Sequence, residues 1–294
     1  MKISSGLFTI IMLLSHVNFD LRADDAVIRI PKARASFDIS HDYHVRLLTL
    51  ALQHGNAEQP VPRIDSTLEM VQGRAELELA KGKNIDLYWL GADNTKEAHL
   101  RSIKIPTSMG LIGYRKFLVL KENQHKFSGI KSLSDFESLV ACQGSHWPDT
   151  QILRSANLKV TTNPRFDSLF KMLVAGRCDY FPRGFHDADR EVEALAELYP
   201  ELISIDDVVF HYPFAIYFYT HTDNEALAMR IEAGMKSLAE SGKLLAFMKS
   251  HPLTAHIFPI EQYKIGKIFE LPNNNIPLTD NYLKPNYWIK LEAN

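Results

Sequence analysis

Short apolar, β-branched runs alternate along the first third of the chain with segments whose apolar residues recur every three to four positions. Val27-Ile-Arg-Ile-Pro31 reads as a strand followed by a loop from Lys32 to Ser40. Asp42 to His54 predicts a helix with Tyr43, Leu47, Leu50, Ala51 and His54 on one face, ended by Gly55. Val61 to Ile64 reads as a second strand, and Ser66 or Thr67 is expected to cap a helix that runs to Ala80 and closes at Gly82. Ile85 to Leu90 predicts a third strand, ended by Gly91. This alternation is the rhythm of a parallel sheet with helices on both faces.

The pattern resumes after a less regular stretch. Lys116 to Leu120 reads as a strand, Ser132 or Ser134 as the cap of a helix containing Phe136, and Leu139 to Cys142 as a short buried strand. Gly144-Ser145 then forms a turn, and a helix is expected to begin between Ser145 and Pro148, because proline is tolerated in the first turn of a helix. Lys159 to Thr162 predicts a strand; Phe166, Leu169, Phe170, Leu173 and Val174 mark an amphipathic helix ended by Gly176. Asp179 to Pro182 predicts a strand that meets Arg183-Gly184, and Ala215 to Tyr219 another. A helix from Asn224 to Glu240 buries Leu227, Ile231, Met235 and Leu238; after Gly242, Leu244 to Ser250 continue as a shorter one. Pro259 to Asn294, rich in Pro, Asn and Tyr, reads as a surface-wrapped tail with little regular structure. There are no internal repeats and no low-complexity segments.

The amino terminus departs from this pattern. One early lysine, Lys2, precedes the apolar run Gly6 to Ser15, the pattern of a secretory signal peptide with cleavage expected after Ala23. The run is short of the ~20 apolar residues a spanning helix needs. Without residues 1–23 the chain loses Lys2, Arg22 and Asp20, so 33 basic and 35 acidic side chains become 31 and 34, a formal charge of −3. That excludes a nucleic-acid footprint. A chain of this length usually divides in two. Its two cysteines, Cys142 and Cys178, fall at the end of one expected strand and the start of another. In neighbouring parallel strands those places are too far apart for a disulfide, so both read as small buried apolar residues.

The turn after Cys142 carries the first candidate chemistry. A strand–turn–helix presents free backbone N–H groups and the positive end of a helix dipole, which suits an anionic ligand group; an ordinary loop capped by Ser145 gives the same pattern. The order of pieces around it resembles the extracellular solute-binding proteins of the amino-acid-binding family, family 3. Asp86-Leu-Tyr-Trp89 resembles the strand leading to a ligand loop, and Thr95-Lys-Glu97 the family's Thr-x-Glu-Arg motif. Gly129 to Phe136 resembles the helix that opens the second lobe, Gly144-Ser145 the anion site, and Ala175-Gly-Arg-Cys-Asp-Tyr180 the Gly-x-x-Asp-Ala strand. The resemblance covers roughly Val27 to Ser250. It implies the two-lobed type 2 periplasmic-binding-protein fold, α/β, each lobe a mostly parallel sheet flanked by helices. Two crossing strands near Gly110–Arg115 and Tyr217–His221 would form the hinge. Lobe one would be residues 24–110 with 220–294, and lobe two 111–219.

Two departures bear on the ligand. The arginine that the family places after Thr-x-Glu is here Ala98, and the acid it places beyond the Asp-Ala strand is here Gly184, preceded by Arg183. A planar, doubly donating group is not replaced by alanine without loss of a carboxylate clamp. Arg183 with the helix start at Gly144, Ser145, His146 and Trp147, followed by Asp149 and Thr150, is therefore a candidate anion-selective site. Lobe one offers Gln72, Arg74 and Trp89, and Trp89 with Trp147 can sandwich a flat ligand body. Tyr114 and Arg115 at the crossing either touch ligand or brace the hinge. Plainer roles exist for several: Arg183 paired with Asp187 or Asp189, Arg74 paired with Glu78, Trp89 in the core, His146 simply solvated.

No Gly-x-Ser-x-Gly elbow and no His-Glu-x-x-His spacing are present, so nucleophilic and metal hydrolysis lack support. Acid–base chemistry would require Glu97, His146 and Asp149 to converge. The expectation is an exported, non-enzymatic, monomeric binding protein for a small polar or anionic solute, without cofactor or metal. It would serve an ABC permease, or alternatively a membrane sensor; a dehydratase-type enzyme on the same fold is the remaining alternative.

Overall fold

Residues 26–263 and 265–292 are described in a computed structural model; the expected signal peptide, 1–23, lies outside the described residues. β1 (Val27–Pro31) pairs in parallel with β2 (Arg63–Leu68) across α1 (Ile39–Gly55), which buries Tyr43, Leu47, Leu48, Ala51 and Leu52 along one face. Ser66 and Thr67 belong to β2, held by its pairing with β1, so neither caps the next helix; α2 (Gln72–Ala80) starts after Val71. β3 (Leu87–Gly91) lies beside β1, joined by the Asp86 N–H to Arg29 O (2.8 Å) and by the Arg29–Asp86 ion pair. A short helix, α3 (Asn94–Glu97), and β4 (Arg101–Ile103) follow.

The chain then crosses to a second sheet. Gly110 takes up the left-handed conformation (φ 69°) beneath the Trp288 ring, where a Cβ would collide with the indole. β5 (Tyr114–Leu120), buried along its length, runs between β8 (Phe181–Gly184) and β9 (Leu202–His211), antiparallel to both. β6 (Val140–Gly144), α4 (Pro148–Ser155), β7 (Lys159–Asn163) and α5 (Phe166–Val174) fill the other half, with β6 and β7 parallel and Ala141 bridged to Tyr180 ahead of β8. α6 (Ala188–Leu195) connects β8 to β9. The chain returns through Tyr212–Ala215, and β10 (Ile216–Thr220) enters the first sheet between β3 and β4, antiparallel to both. α7 (Glu225–Glu240) and α8 (Lys243–Ser250) complete that lobe; α7 meets α1 where Gly234 lies directly against the Ala51 carbonyl.

Four expectations change. The sheets are mixed: β10 runs antiparallel to β3 and β4 in the first, and β5 antiparallel to β8 and β9 in the second. The return crossing precedes the expected Tyr217–His221: β10 is already a lobe-one strand, and the unanticipated ten-residue β9 fills the preceding stretch. Cys142 and Cys178 are joined in a disulfide, Cα to Cα 5.6 Å. Cys142 sits in the middle of β6, and Cys178 precedes the Tyr180 bridge beside it, so the two are neighbours and not at opposite ends. Finally, the tail is not confined to lobe one. β11 (Lys267–Glu270) pairs in parallel with β9, and Phe269 and Leu271 join the lobe-two core. The chain then passes back over both crossings: Asn273 bonds Pro213 O (2.8 Å), the Ile289 N–H bonds Met109 O (2.8 Å), and the Leu291 N–H bonds the Tyr114 hydroxyl (3.1 Å).

Candidate functional site

The crossings end where β3, β8 and the start of α4 converge, and a narrow cleft of about 60 Å³ lies there. Lobe one supplies Arg34, Ser40, Gln72, Tyr88 and Trp89; lobe two supplies Arg115, Trp147, Asp149, Arg183 and Asp187. The lobes touch at its rim. Gln72 Nε2 donates to His146 O (3.3 Å), and a Cβ on Gly73 would meet the His146 ring at 2.7 Å.

Charge in the cleft is almost fully paired. Arg183 donates through Nε and Nη2 to Glu191 (2.7 and 2.6 Å), and its guanidinium lies over the Trp147 and Phe181 rings at 5.0 and 4.9 Å. Burial outweighs this partner and pushes the Glu191 carboxyl up to about 6. Arg115 donates to the Tyr212 hydroxyl (2.9 Å) and pairs with Asp149, which also accepts from that hydroxyl (2.5 Å). Arg34 grips Asp38 (2.6 and 2.8 Å) and lays its guanidinium over the lobe-two ring of Phe166 at 4.2 Å. Asp38 is held below the usual carboxylate range, the Arg34 charge and hydrogen bonds overcoming the burial that would raise it.

Asp187 differs. Its side chain is only 8 % exposed, yet the nearest basic nitrogens stand off: Arg183 Nη2 at 4.0 Å and His186 Nε2 at 3.6 Å. Among the described residues no hydrogen bond reaches its carboxylate. Burial would raise its pKa, but His186, Arg183 and Arg115 together hold it below the ordinary carboxylate value. Burial lowers the His186 imidazole, against the opposing pull of the Asp187 charge. Opposite, Trp89 stacks face to face on His44 (4.9 Å, planes 3° apart), and burial drives His44 down to about 3. The Tyr88 hydroxyl, pushed up to about 12 chiefly by burial, stays protonated and has no partner among the described residues.

The expected site residues separate into three groups. Gln72, Trp89, Arg115, Trp147, Asp149 and Arg183 line the cleft. Gly144, Ser145 and His146 line an adjoining outer chamber that shares Arg34, Gln72 and Trp147 with it. The rest are elsewhere. Arg74 points outward and pairs with Glu78 (3.6 Å), as i,i+4 neighbours on a helix do. Tyr114 stacks on His211 at 4.0 Å in the hinge, and Thr150 bonds Gly144 O (2.8 Å) inside lobe two. Ser145 caps nothing; Trp147 takes the N-cap position without a side-chain bond. Glu191 occupies the side-on edge of the Arg183 guanidinium, which leaves only its Nη1 side facing an anion. Arg101, the nearest arginine to Ala98, is tied to Glu225 and Glu232 and does not line the cleft.

Arg34, Ser40, Tyr88 and Asp187 were not anticipated. One exchange explains the last. A Cβ on Gly184 would meet Asp187 Oδ2 at 2.5 Å, so the Asp187 carboxylate fills the space where a side chain at 184 would begin. Asp187 precedes α6 and turns back through its N–H to Gly184 O (2.8 Å), which aims its carboxylate across the glycine. Asp187 appears beside Arg183 in the sequence reading only as an ion-pair partner; the signal that would have found it is the glycine itself.

No family model matches this chain, and no curated protein matches it. Solved structures do. A substrate-binding protein of an amino-acid ABC transporter from Streptococcus pneumoniae, bound to L-arginine, superposes with TM-score 0.57 at 14% identity, over 77% of this chain and 94% of its own. A histidine kinase sensor domain similar to periplasmic binding proteins gives 0.55 at 14%, over 78% and 96%. An ancestral amino-acid-binding protein, precursor of cyclohexadienyl dehydratase, gives 0.55 at 14%, over 78% and 96%. More than a fifth of this chain lies outside each match. At these identities the likeness shows the fold: the chain has the two-lobed α/β architecture of periplasmic amino-acid-binding proteins.

Proposed function

We propose that this chain is an exported solute-binding protein that captures a small polar solute between its lobes by hinge closure and delivers it to an ABC permease. The observation that carries this reading is the cleft between the lobes. It is lined from both lobes and sits directly on the two crossings, where closing the hinge changes its volume. The Cys142–Cys178 disulfide fits an oxidising compartment outside the cytosol, as does the apolar run near the amino terminus. Among the described residues no helix is long and apolar enough to cross a membrane.

Catalysis has less support. Glu97 bonds Ser102 (2.8 Å) and Lys104 (2.8 Å) and does not line the cleft, while Asp149 is bound by Arg115 and Tyr212. The acid–base set of Glu97, His146 and Asp149 therefore does not converge. A sensory role for a membrane receptor uses the same closure, and the kinase sensor domain matches nearly as well as the transport protein. Adjacent permease genes favour transport; an adjacent kinase gene favours sensing.

The test is a thermal-shift panel of small solutes combined with small-angle scattering. A ligand at a hundred times its dissociation constant is expected to add about 2.7 kcal/mol of stability and to make the protein more compact. A panel of amino acids, amines and organic acids that produced neither effect would overturn the reading.

A further inference from the structure

We propose that the cleft recognises a protonated organic amine through Asp187 and that the ligand needs no carboxylate group. This rests on the solute-binding reading above and specifies the solute's charge.

Three guanidiniums in and around the cleft face four carboxylates. Arg34 is matched by Asp38, Arg115 by Asp149 and Arg183 by Glu191, each through close contacts. Asp187 is the acid left over. It is more than nine-tenths buried, it lines the cleft, and neither Arg183 nor His186 comes within hydrogen-bonding distance. A buried carboxylate with no donor is costly, and the cost is relieved by a cationic ligand carrying N–H groups.

A ligand carboxylate finds no guanidinium in the cleft with its side-on edge free. Arg34 and Arg183 spend their Nε–Nη2 edges on protein carboxylates, Arg115 is shared between Tyr212 and Asp149, and Arg101 lies outside the cleft. The remaining walls suit a cation. Trp89, Tyr88, Trp147 and Phe214 present aromatic surface around the acid, and the free Tyr88 hydroxyl can accept a further N–H. The adjoining outer chamber leaves room for the rest of an extended amine.

The experiment compares matched pairs by calorimetry on the mature protein: arginine with agmatine, lysine with cadaverine, histidine with histamine, phenylalanine with phenethylamine. The deaminated acids and small dicarboxylates complete the panel. The expected result is that at least one amine binds as tightly as its amino acid or tighter, and that no acid lacking the amine binds. Asp187→Asn is expected to weaken that amine at least a hundredfold while the unfolding temperature of the unliganded protein does not fall. Should that variant fail to fold, the wild-type panel decides alone. Binding of amino acids with loss of affinity on decarboxylation, or binding of dicarboxylates only, would overturn the proposal and leave the solute-binding reading standing. If no member of the panel bound, both would fall.

Discussion

The lobe-one wall of the cleft presents Ser40, Tyr88 and Trp89, and the lobe-two wall Arg115, Asp149, Arg183 and Asp187. Both walls rise from mixed sheets, each with a parallel pair (β1 and β2, β6 and β7) and an antiparallel strand (β10, β5) flanked on both sides. The difference is how each wall is fixed. Lobe one holds Trp89 by stacking on a neutral, buried His44, whose Nε2 meets Thr107 Oγ1 at 3.2 Å. Arg34, also on that side, reaches across to the Phe166 ring. Lobe two holds its side chains by buried ion pairs under a disulfide-joined sheet. One side offers an aromatic face that tolerates variety, the other a charge pattern that does not. On the proposed function, discrimination by charge resides in lobe two.

Breaking the lobe-two pattern should cost most. Arg183→Ala strands Glu191 as a buried acid and is expected to destabilise the protein by about 3–5 kcal/mol in chemical denaturation. Arg101→Ala in lobe one, a half-buried arginine whose partners Glu225 and Glu232 are exposed, should cost about 0–1 kcal/mol and leave binding untouched. Equal losses from the two would erase the contrast. Next comes the disulfide, which closes a sequence separation of 36 residues. Replacing both cysteines by serine is expected to lower stability by about 3–4 kcal/mol, with the earliest loss of hydrogen-exchange protection in β6 and β7. Uniform loss across both lobes would show that they unfold as one unit.

Acid should act on lobe one. His44 binds a proton at its ordinary value of 6.5 in the unfolded chain but only near 3 when folded, so its contribution is complete above pH 6.5 and lost as pH falls. Between pH 6.5 and 5 this amounts to about 2 kcal/mol, read as a falling urea midpoint, and His44→Gln should flatten that slope. An unchanged slope in the variant would place the acid sensitivity elsewhere.

Much of the fold could be read in the chain because its helices and inner strands keep clean periodicities. α5 begins and ends where Phe166 to Val174 predicts. β9 escaped notice because Leu202–His211 mixes Asp206 and Asp207 into a strand exposed at intervals. The disulfide was misjudged through a two-residue error in where β6 ends, enough to move Cys142 from the middle of a strand to its tip. Half of the expected site residues do line the cleft, since strand ends and helix starts are legible. Asp187 was not, because its role comes from folding back over Gly184, a relation of three dimensions that no spacing rule carries.

The C-terminal strap has a kinetic consequence. Trp288 packs on Gly110, Ile289 and Leu291 are bonded to the first crossing, and Asn273 is bonded to the second. Opening the lobes therefore deforms three segments where two would suffice for connection. On the proposed function, the rates at which solute enters and leaves are then set partly by residues that never touch it. Trp288→Ala should speed both association and dissociation in stopped flow with little change in their ratio. Unchanged rates would show that the strap rides on the hinge without resisting it.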